Sequence, residues 1–451
     1  MRKASTLKVS VSGVRGVVGD SLTPGLVADF AASFGRYVGG GRVVVGRDTR
    51  PTGPMIEKAV IAGLLAVGCQ PVLIGVVPTP TVQMIVDKIS ANGGIAITAS
   101  HNPAQWNAMK FIGSSGIFLN NNEAAELLDI YNQPDFEYVL EEEIRDIRYL
   151  ANAFDTHKER IFANIDQYLI RKAKFKVAVD CCNGAGAPFA KGFLEELGCE
   201  VITLFDEIDG VFRRTPEPIA ENLTELCETV KKQSCDIGFA QDPDADRITV
   251  VDENGDFIGE QYSVVLATEH ILSQKSGVVV VNLATTKAVG DVVAKYGGEL
   301  VYTKIGEINV TAEMIARGAA IGGEGGSGGV IWPQVHPCRD SFVGMALLLE
   351  MMAQRKQKLT EIMNGIPKYY TANRKLPCSA ENALKIIREL RSKYAELNPK
   401  TIDGIRLDWE DRWLLVRSSN TEPVIRITAE ALSQDVAEAL ADEFETLVLE
   451  A

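Results

Sequence analysis

Nowhere in the 451 residues do eighteen apolar side chains run uninterrupted, so the sequence offers no segment long and apolar enough to cross a membrane as a helix. Met1 to Leu7 carries charges with no apolar stretch behind them, which is not the grammar of a secretory leader. A cytoplasmic location is therefore expected. Positive charge is in short supply: 46 Lys and Arg stand against 60 Asp and Glu, a net charge of -14. That balance argues against a nucleic-acid backbone or an anionic membrane surface as partner and leaves room only for local basic pockets. Paired cysteines are missing too. None of the eight cysteines forms a C-x-x-C pair, and Cys69, Cys199 and Cys235 sit in apolar element contexts, so neither a disulfide framework nor a zinc site is expected. The vicinal Cys181-Cys182 suits neither.

What is present is enough apolar material for several cores. With 46% hydrophobic and 24% charged residues the chain reads as globular, and at roughly 100 to 200 residues per domain it holds three or four domains. Internal repetition says how they are built. Three stretches share one pattern, a β-rich strand opening onto a polar or glycine loop, a helix, a glycine and a second strand: Arg42–Asp48 to Gly75, Lys176–Asp180 to Leu204, and Val278–Asn282 to Thr303. Strands alternating with helices imply βαβ units and mostly parallel sheets. From about Ile366 the pattern breaks: Leu376 to Leu397 reads as a helix, Ile405 to Val416 as a hairpin, and Val436 to Leu449 as a closing amphipathic helix. The expected fold class is α/β, with three related, mostly parallel α/β domains (1–150, 151–257 and 258–366) and a fourth, α+β domain (367–451).

Each repeat supplies one further apolar strand that ends in an unusual loop, and open α/β sheets bind ligands at that end of their strands. After Gly94-Ile95-Ala96-Ile97 comes Thr98-Ala99-Ser100-His101-Asn102-Pro103. Alone, this hexapeptide is also ordinary turn punctuation. After Cys235–Ala240 comes Asp242-Pro243-Asp244-Ala245-Asp246-Arg247, whose three alternating carboxylates can converge on one hard cation such as Mg²⁺; a solvated acidic turn is the blander reading. An EF-hand fails, because Arg247 stands where glycine is needed and Ile248–Val251 reads as a strand. After Ala319–Gly322 comes Gly323-Glu324-Gly325-Gly326-Ser327-Gly328-Gly329. It matches G-x-G-x-x-G, yet Trp332-Pro333 follows where a dinucleotide site needs a helix; Glu324 and Ser327 can bind sugar hydroxyls, and a glycine-rich surface linker is the blander reading. In the fourth domain Arg417-Ser418-Ser419-Asn420-Thr421-Glu422-Pro423 crowds a guanidinium, hydroxyls and an amide into a turn that suits a phosphate. Two more arginine-bearing loops, Ser12–Gly16 and Gly46–Pro51, read singly as solvated turns.

In this combination and order the four loops resemble those of the α-D-phosphohexomutase family, and the resemblance covers essentially the whole chain. It implies that Ser100 carries a phosphoryl group and that Asp242, Asp244 and Asp246, with Ser100, hold one Mg²⁺ per chain. It places Arg247 beside that phosphoryl, Arg15 and His101 among the catalytic residues, and Lys110, in Asn107-Ala108-Met109-Lys110, as general acid/base. Gly306, Glu307, Glu324 and Ser327 are implied to bind the sugar, and Arg417, Ser419, Asn420, Thr421 and Arg426 the non-reacting phosphate. The implied reaction interconverts hexose 6- and 1-phosphates through a hexose 1,6-bisphosphate, which also serves as activator, in a monomer or homodimer. A lysine that accepts the hydroxyl proton needs a lowered pKa, and Arg15 is expected to push it that way. Two departures stand out: Ala108 replaces the usual glycine of N-G-x-K, and Gly329 stands where many members have His, with His336 nearby. The glycine-rich sugar loop is similar to that of the archaeal-type phosphoglucosamine-mutase group, which favours a glucosamine phosphate over glucose or mannose phosphates. A magnesium-dependent phosphatase would share Ser100 and the aspartates but release free phosphate; a non-catalytic sugar-phosphate sensor would need neither.

Overall fold

The computed structural model describes residues 6–10, 13–133, 137–419 and 423–450, and it divides into two compact units. One runs to Ser263 and resumes over Gly328–Thr360; the other holds Val264–Ser327 and the chain from Glu361 onward.

In the first unit the strand Gly41–Arg47 lies parallel to Cys69–Val76 on one side and Gly93–Ile97 on the other. Its valines explain why it sits there. Val43 and Val45 pack with Phe30, Phe34, Ile56, Val60 and Leu64 of the helices Pro24–Tyr37 and Gly53–Ala66. Val44 points the opposite way, toward Val82, Ile85 and Val86 of the helix Thr79–Lys88. A strand covered on both faces needs a continuous β-branched run, and this one has it. The two helices of the first face approach closely at Gly63, where a Cβ would come within 2.2 Å of the Ala28 carbonyl oxygen. Thr23 starts the first of them by accepting a hydrogen bond from the Leu26 amide, with Pro24 just inside.

The strand Gly93–Ile97 then returns antiparallel as Trp106–Gly113, leaving the Ser100 loop at the turn. The second sheet repeats this scheme. Lys176–Asp180 lies between parallel Glu200–Leu204 and Ile237–Gln241, and the last returns antiparallel as Ile248–Val251, with the aspartate loop at its turn. Gly329–Trp332 and His336–Arg339 form a further antiparallel pair. It leads to the almost wholly buried helix Ser341–Arg355, which Asp340 caps through the Phe342 and Val343 amides.

In the second unit Val278–Asn282 runs parallel to Glu299–Thr303 and Ile321–Glu324. An antiparallel sheet in the order Tyr370–Pro377, Val424–Ala431, Arg412–Ser418, Ile405–Asp408 is packed with the helices Ala380–Lys393 and Gln434–Glu450 through Ile386, Leu390, Leu440 and Phe444. Three α/β sheets and an α+β tail are thus present, as the repeats imply. Two details differ from expectation. The helix expected from Leu376 starts at Ala380, because Leu376 and Pro377 close a strand and Ser379 caps the helix. Gly323 and Glu324 belong to the strand Ile321–Glu324, paired through Val281, not to the loop after it. No helix among the described residues is long and apolar enough to cross a membrane. All eight cysteines are free, and burial pushes the Cys182 thiol up to about 12, where it is chemically quiet.

Candidate active site

Ser100 stands in the left-handed region at φ 48°, a conformation that costs a non-glycine residue about 1 kcal/mol and has to be held by its surroundings. Here it is held from several sides. Thr98 Oγ1 accepts from the Ser100 amide at 3.0 Å while donating to Asp48 Oδ2 at 2.7 Å. Arg50 threads beneath the loop and donates to the carbonyls of Ser100 (2.5 Å), Asn102 (2.8 Å) and Pro103 (2.9 Å). Its own Nε and backbone amide are anchored on Asp48 at 3.0 and 2.9 Å. Both side chains are wholly buried. The sequence reading of Gly46–Pro51 as a solvated turn is therefore corrected. Charges two residues apart at the end of a valine run are the signal for such a pair, because the strand carries them into the sheet's crevice rather than into water.

The Ser100 hydroxyl donates to Asp242 Oδ2 at 2.7 Å. Asp242, Asp244 and Asp246 are buried, with one carboxylate oxygen of each within 4.8 Å of the others. Two like charges 4 Å apart repel by about 4 kcal/mol at an effective dielectric near 20, so such a triad needs cations. The protein supplies some itself. Lys110 Nζ lies 2.6 Å from Asp244 Oδ2 and 3.3 Å from Asp246 Oδ2, and Arg339 Nη2 reaches Asp246 Oδ2 at 2.5 Å. Thr79 Oγ1 donates to Asp244 Oδ2 at 3.0 Å, and the Arg247 amide to Asp242 Oδ1 at 3.2 Å. Burial, then the neighbouring Asp244 and Asp246, push the Asp242 carboxyl well above its ordinary value. Burial works the same way on Asp244, but Lys110, the hydrogen bond with Asp242 and Arg339 together outweigh it and hold that carboxyl below the usual range. Asp244 Oδ1 and Asp246 Oδ1 remain buried without a hydrogen-bond partner. Two orphaned carboxylate oxygens beside a third carboxylate are the donor set a hard divalent cation takes, so the residues fit Mg²⁺.

His101 Nδ1 lies 3.4 Å from Ser100 Oγ. Burial, aided by Arg247 and Arg15, pushes this imidazole down to about 2, so it is neutral. Arg15 donates to Asn102 Oδ1 at 2.6 Å, and burial lowers its own pKa. The pKa of Lys110 is not lowered, contrary to expectation. Burial does oppose the Lys110 charge, yet Asp244 and Asp246 outweigh it and hold the ammonium above the ordinary lysine value. Arg339 was not visible as a site residue in the sequence, since only the pairing of two short strands brings it to Asp246.

The second unit gathers the other candidates into two places. Glu324 Oε1 accepts from the Gly306 amide at 2.7 Å and from Asn282 Nδ2 at 2.9 Å, while Ser327 Oγ donates to the Glu324 carbonyl at 3.2 Å. Gly306 has φ 118°, open to glycine, and Glu307 begins the helix Glu307–Arg317 with its side chain buried. In the antiparallel sheet Arg417 and Arg426 stand directly opposite each other on neighbouring strands. Like charges in that register destabilise a bare strand pair and favour a shared anion. Ser419 closes the hairpin through its amide on the Val424 carbonyl at 2.9 Å; Asn420 and Thr421, with Glu422, lie outside the described residues.

Comparison with known proteins gives one answer along the chain. Phosphoglucomutase/phosphomannomutase alpha/beta/alpha domains I, II and III match residues 6–138, 155–255 and 259–370, and the C-terminal domain of the same set matches 373–447. A protein of Methanopyrus kandleri named "Probable phosphoglucosamine mutase" is 39% identical over 97% of this chain and 96% of its own length. A Thermococcus kodakarensis protein named "Phosphoglucomutase/phosphomannomutase" is 35% identical over 94% of each. The crystal structure of a Burkholderia thailandensis phosphoglucomutase/phosphomannomutase family protein is similar with a TM-score of 0.83 at 30% identity, over 98% of both chains.

Proposed function

Because the chain belongs to the phosphoglucomutase/phosphomannomutase family of phosphoryl-transferring isomerases, we propose that it interconverts hexose 6- and 1-phosphates with Ser100 as phosphoryl carrier and a hexose 1,6-bisphosphate as intermediate and activator. The observation that carries this reading is Ser100, braced in a left-handed conformation with its hydroxyl 2.7 Å from the first of three buried carboxylates. In the forward step the bond from phosphorus to Ser100 Oγ breaks, and a bond forms from phosphorus to the free sugar hydroxyl. The hydroxyl proton ends on Ser100 Oγ. In a loose transition state the leaving oxygen gathers charge before the attacking hydroxyl loses its proton, so a proton donor is needed first. Lys110, held as an ammonium by Asp244 and Asp246, suits that order: its Nζ gives a proton toward Oγ and takes one from the hydroxyl. Arg15 and neutral His101 position the Ser100 loop and its surroundings, and the Arg247 amide keeps Asp242 oriented.

Mg²⁺, held by Asp242, Asp244, Asp246 and the group on Ser100, would neutralise charge on the transferring phosphoryl. Replacement Asp244→Asn is then expected to weaken Mg²⁺ binding by about 10- to 100-fold, read by calorimetric titration. Unchanged affinity would remove the loop from the metal site. The bisphosphate must be re-bound in the opposite orientation for the second half-reaction, so the grips on it have to accept either phosphate. Arg417, Arg426 and Ser419, with Asn420 and Thr421, are assigned to the non-reacting phosphate, and Gly306, Glu307, Glu324 and Ser327 to the ring. The division of labour follows the boundaries 1–150, 151–257, 258–366 and 367–451.

For the substrate we propose glucosamine phosphate. Two buried carboxylates, Glu307 and Glu324, stand in the sugar-binding segment, and the Methanopyrus relative carries that name. A carboxylate within reach of a C2 ammonium prefers it over a hydroxyl by about 1–3 kcal/mol, roughly ten- to hundredfold in kcat/KM. The Thermococcus relative's name keeps glucose and mannose phosphates as the second reading. Side-by-side kcat/KM values for glucosamine, glucose and mannose 6-phosphates, each with its bisphosphate, decide between them. A tenfold preference for mannose or glucose would overturn the substrate and leave the family standing.

A further inference from the structure

We infer that Asp403 is a positioning residue that sets the separation between the phosphate grip and the sugar grip, and so tunes which sugar phosphates fit; this rests on the proposed mutase reading. Asp403 Oδ2 accepts from the Ile305 amide at 3.1 Å, and Oδ1 stands 3.7 Å from Arg417 Nε. The next amide along, that of Gly306, donates to Glu324 Oε1. Two consecutive backbone amides just ahead of Glu307 are thus held by two carboxylates, Glu324 at the end of the strand Ile321–Glu324 and Asp403, whose other oxygen faces the proposed phosphate-binding arginine. Both members of the Asp403–Arg417 pair are less than one-fifth exposed, so water screens the contact little.

The contact is not left to chance. Asp403 leads directly into Gly404, at φ 81°, whose Cβ-less face rests 2.3 Å (for an added Cβ) from the Val416 carbonyl, so the turn is pressed against the strand that carries Arg417. The same sheet is fastened to the segment after Val278–Asn282 by Arg406. That guanidinium is wholly buried, donates to the Leu283 and Thr285 carbonyls at 2.5 and 3.1 Å, and stacks on Trp413 at 4.1 Å and Tyr302 at 4.8 Å. Trp413 Nε1 and the Lys287 amide converge on Glu430 Oε1 at 2.7 and 2.8 Å. With the sheet anchored this way, Asp403 acts as a spacer between two fixed parts rather than as a loose ion pair. A ligand that must be held by both its phosphate and its ring depends on that spacing, whereas inorganic phosphate meets only Arg417 and its neighbours.

The test compares those two ligands on Asp403→Ala and Asp403→Asn. For Asp403→Ala the expected result is a rise in KM for glucosamine 6-phosphate of about tenfold with kcat within about twofold, while inorganic phosphate binds as well as before or more tightly, since a negative charge has left the arginine. Asp403→Asn keeps an acceptor for the Ile305 amide and is expected to raise KM by only about threefold, again without loss of phosphate affinity. Joint weakening of both ligands, or no change in either, would overturn the inference. Should the wild-type protein turn over no hexose phosphate, the mutase reading falls first; a loss of phosphate affinity in Asp403→Asn would then still overturn the spacer role.

Discussion

Turnover by Ser100→Ala is expected to fall by at least about a thousandfold while hexose-phosphate binding stays measurable. The side chain is small, so alanine costs little packing; what disappears is the only atom proposed to carry the phosphoryl group. The side chains that hold position 100 left-handed, those of Arg50 and Thr98, remain in place. A left-handed alanine is no worse than a left-handed serine. Binding is assigned to residues of the second unit and is expected to be untouched by the change. Stopped assays of isomer formation with bisphosphate present, alongside calorimetric titration with the hexose phosphate, separate the two. Wild-type-like turnover would sink the covalent mechanism, and a simultaneous loss of binding would mean that Ser100 positions the ligand rather than reacting with it.

The second large effect is expected at a residue that touches no ligand. Arg50→Met leaves Asp48 buried with its ion-pair partner gone and strips three carbonyls of their donors. Breaking a buried pair from one side costs about 3–5 kcal/mol. The loss falls where Ser100 needs its support, so turnover is expected to drop by about a hundredfold or more even in folded protein. Because the chain has several domains, a single unfolding midpoint is a poor readout. Hydrogen exchange of the segment 98–104 is the better one: faster exchange confined to that loop, with the helix Pro24–Tyr37 unchanged, is the expected pattern. Slow exchange together with normal turnover would show that the loop holds its shape without Arg50. The double variant with Asp48→Leu should recover part of the stability, since an apolar pair can replace a buried ionic one, but not the turnover.

The repeats carried most of the fold because the physics that shapes a βαβ unit is local and recurs. A valine run such as Val43–Val45 is apolar on both faces, and only a strand covered on both sides uses that. The three loops proposed to bind ligands stand out for the same reason: each follows an apolar strand of a repeat, where the polar residues of a short motif are carried to the sheet's crevice. The four-residue difference at the start of the helix Ala380–Lys393 comes from Leu376, which belongs to a strand whose partners lie about fifty residues away. Partnerships across the chain were the blind spot. Lys110 looked like a lysine with a lowered pKa when only Arg15 was considered; Asp244 and Asp246, more than 130 residues on, reverse the direction. Arg50 looked like a surface turn residue until its three carbonyl acceptors from 100 to 103 were in place. Asp403 carries no motif at all, and its meaning comes only from the Ile305 amide on one side and Arg417 on the other.

In the proposed mechanism the phosphoryl group rests on Ser100 and passes to a sugar rather than to water. Protein loaded with labelled phosphoryl from a labelled hexose 1,6-bisphosphate, freed of small molecules and then mixed with unlabelled hexose 6-phosphate, reads this directly. The label should map to Ser100 before mixing and appear in hexose phosphates afterwards, with inorganic phosphate a minor product. Label recovered chiefly as inorganic phosphate would make the protein a phosphatase, and label absent from Ser100 throughout would contradict the mechanism itself.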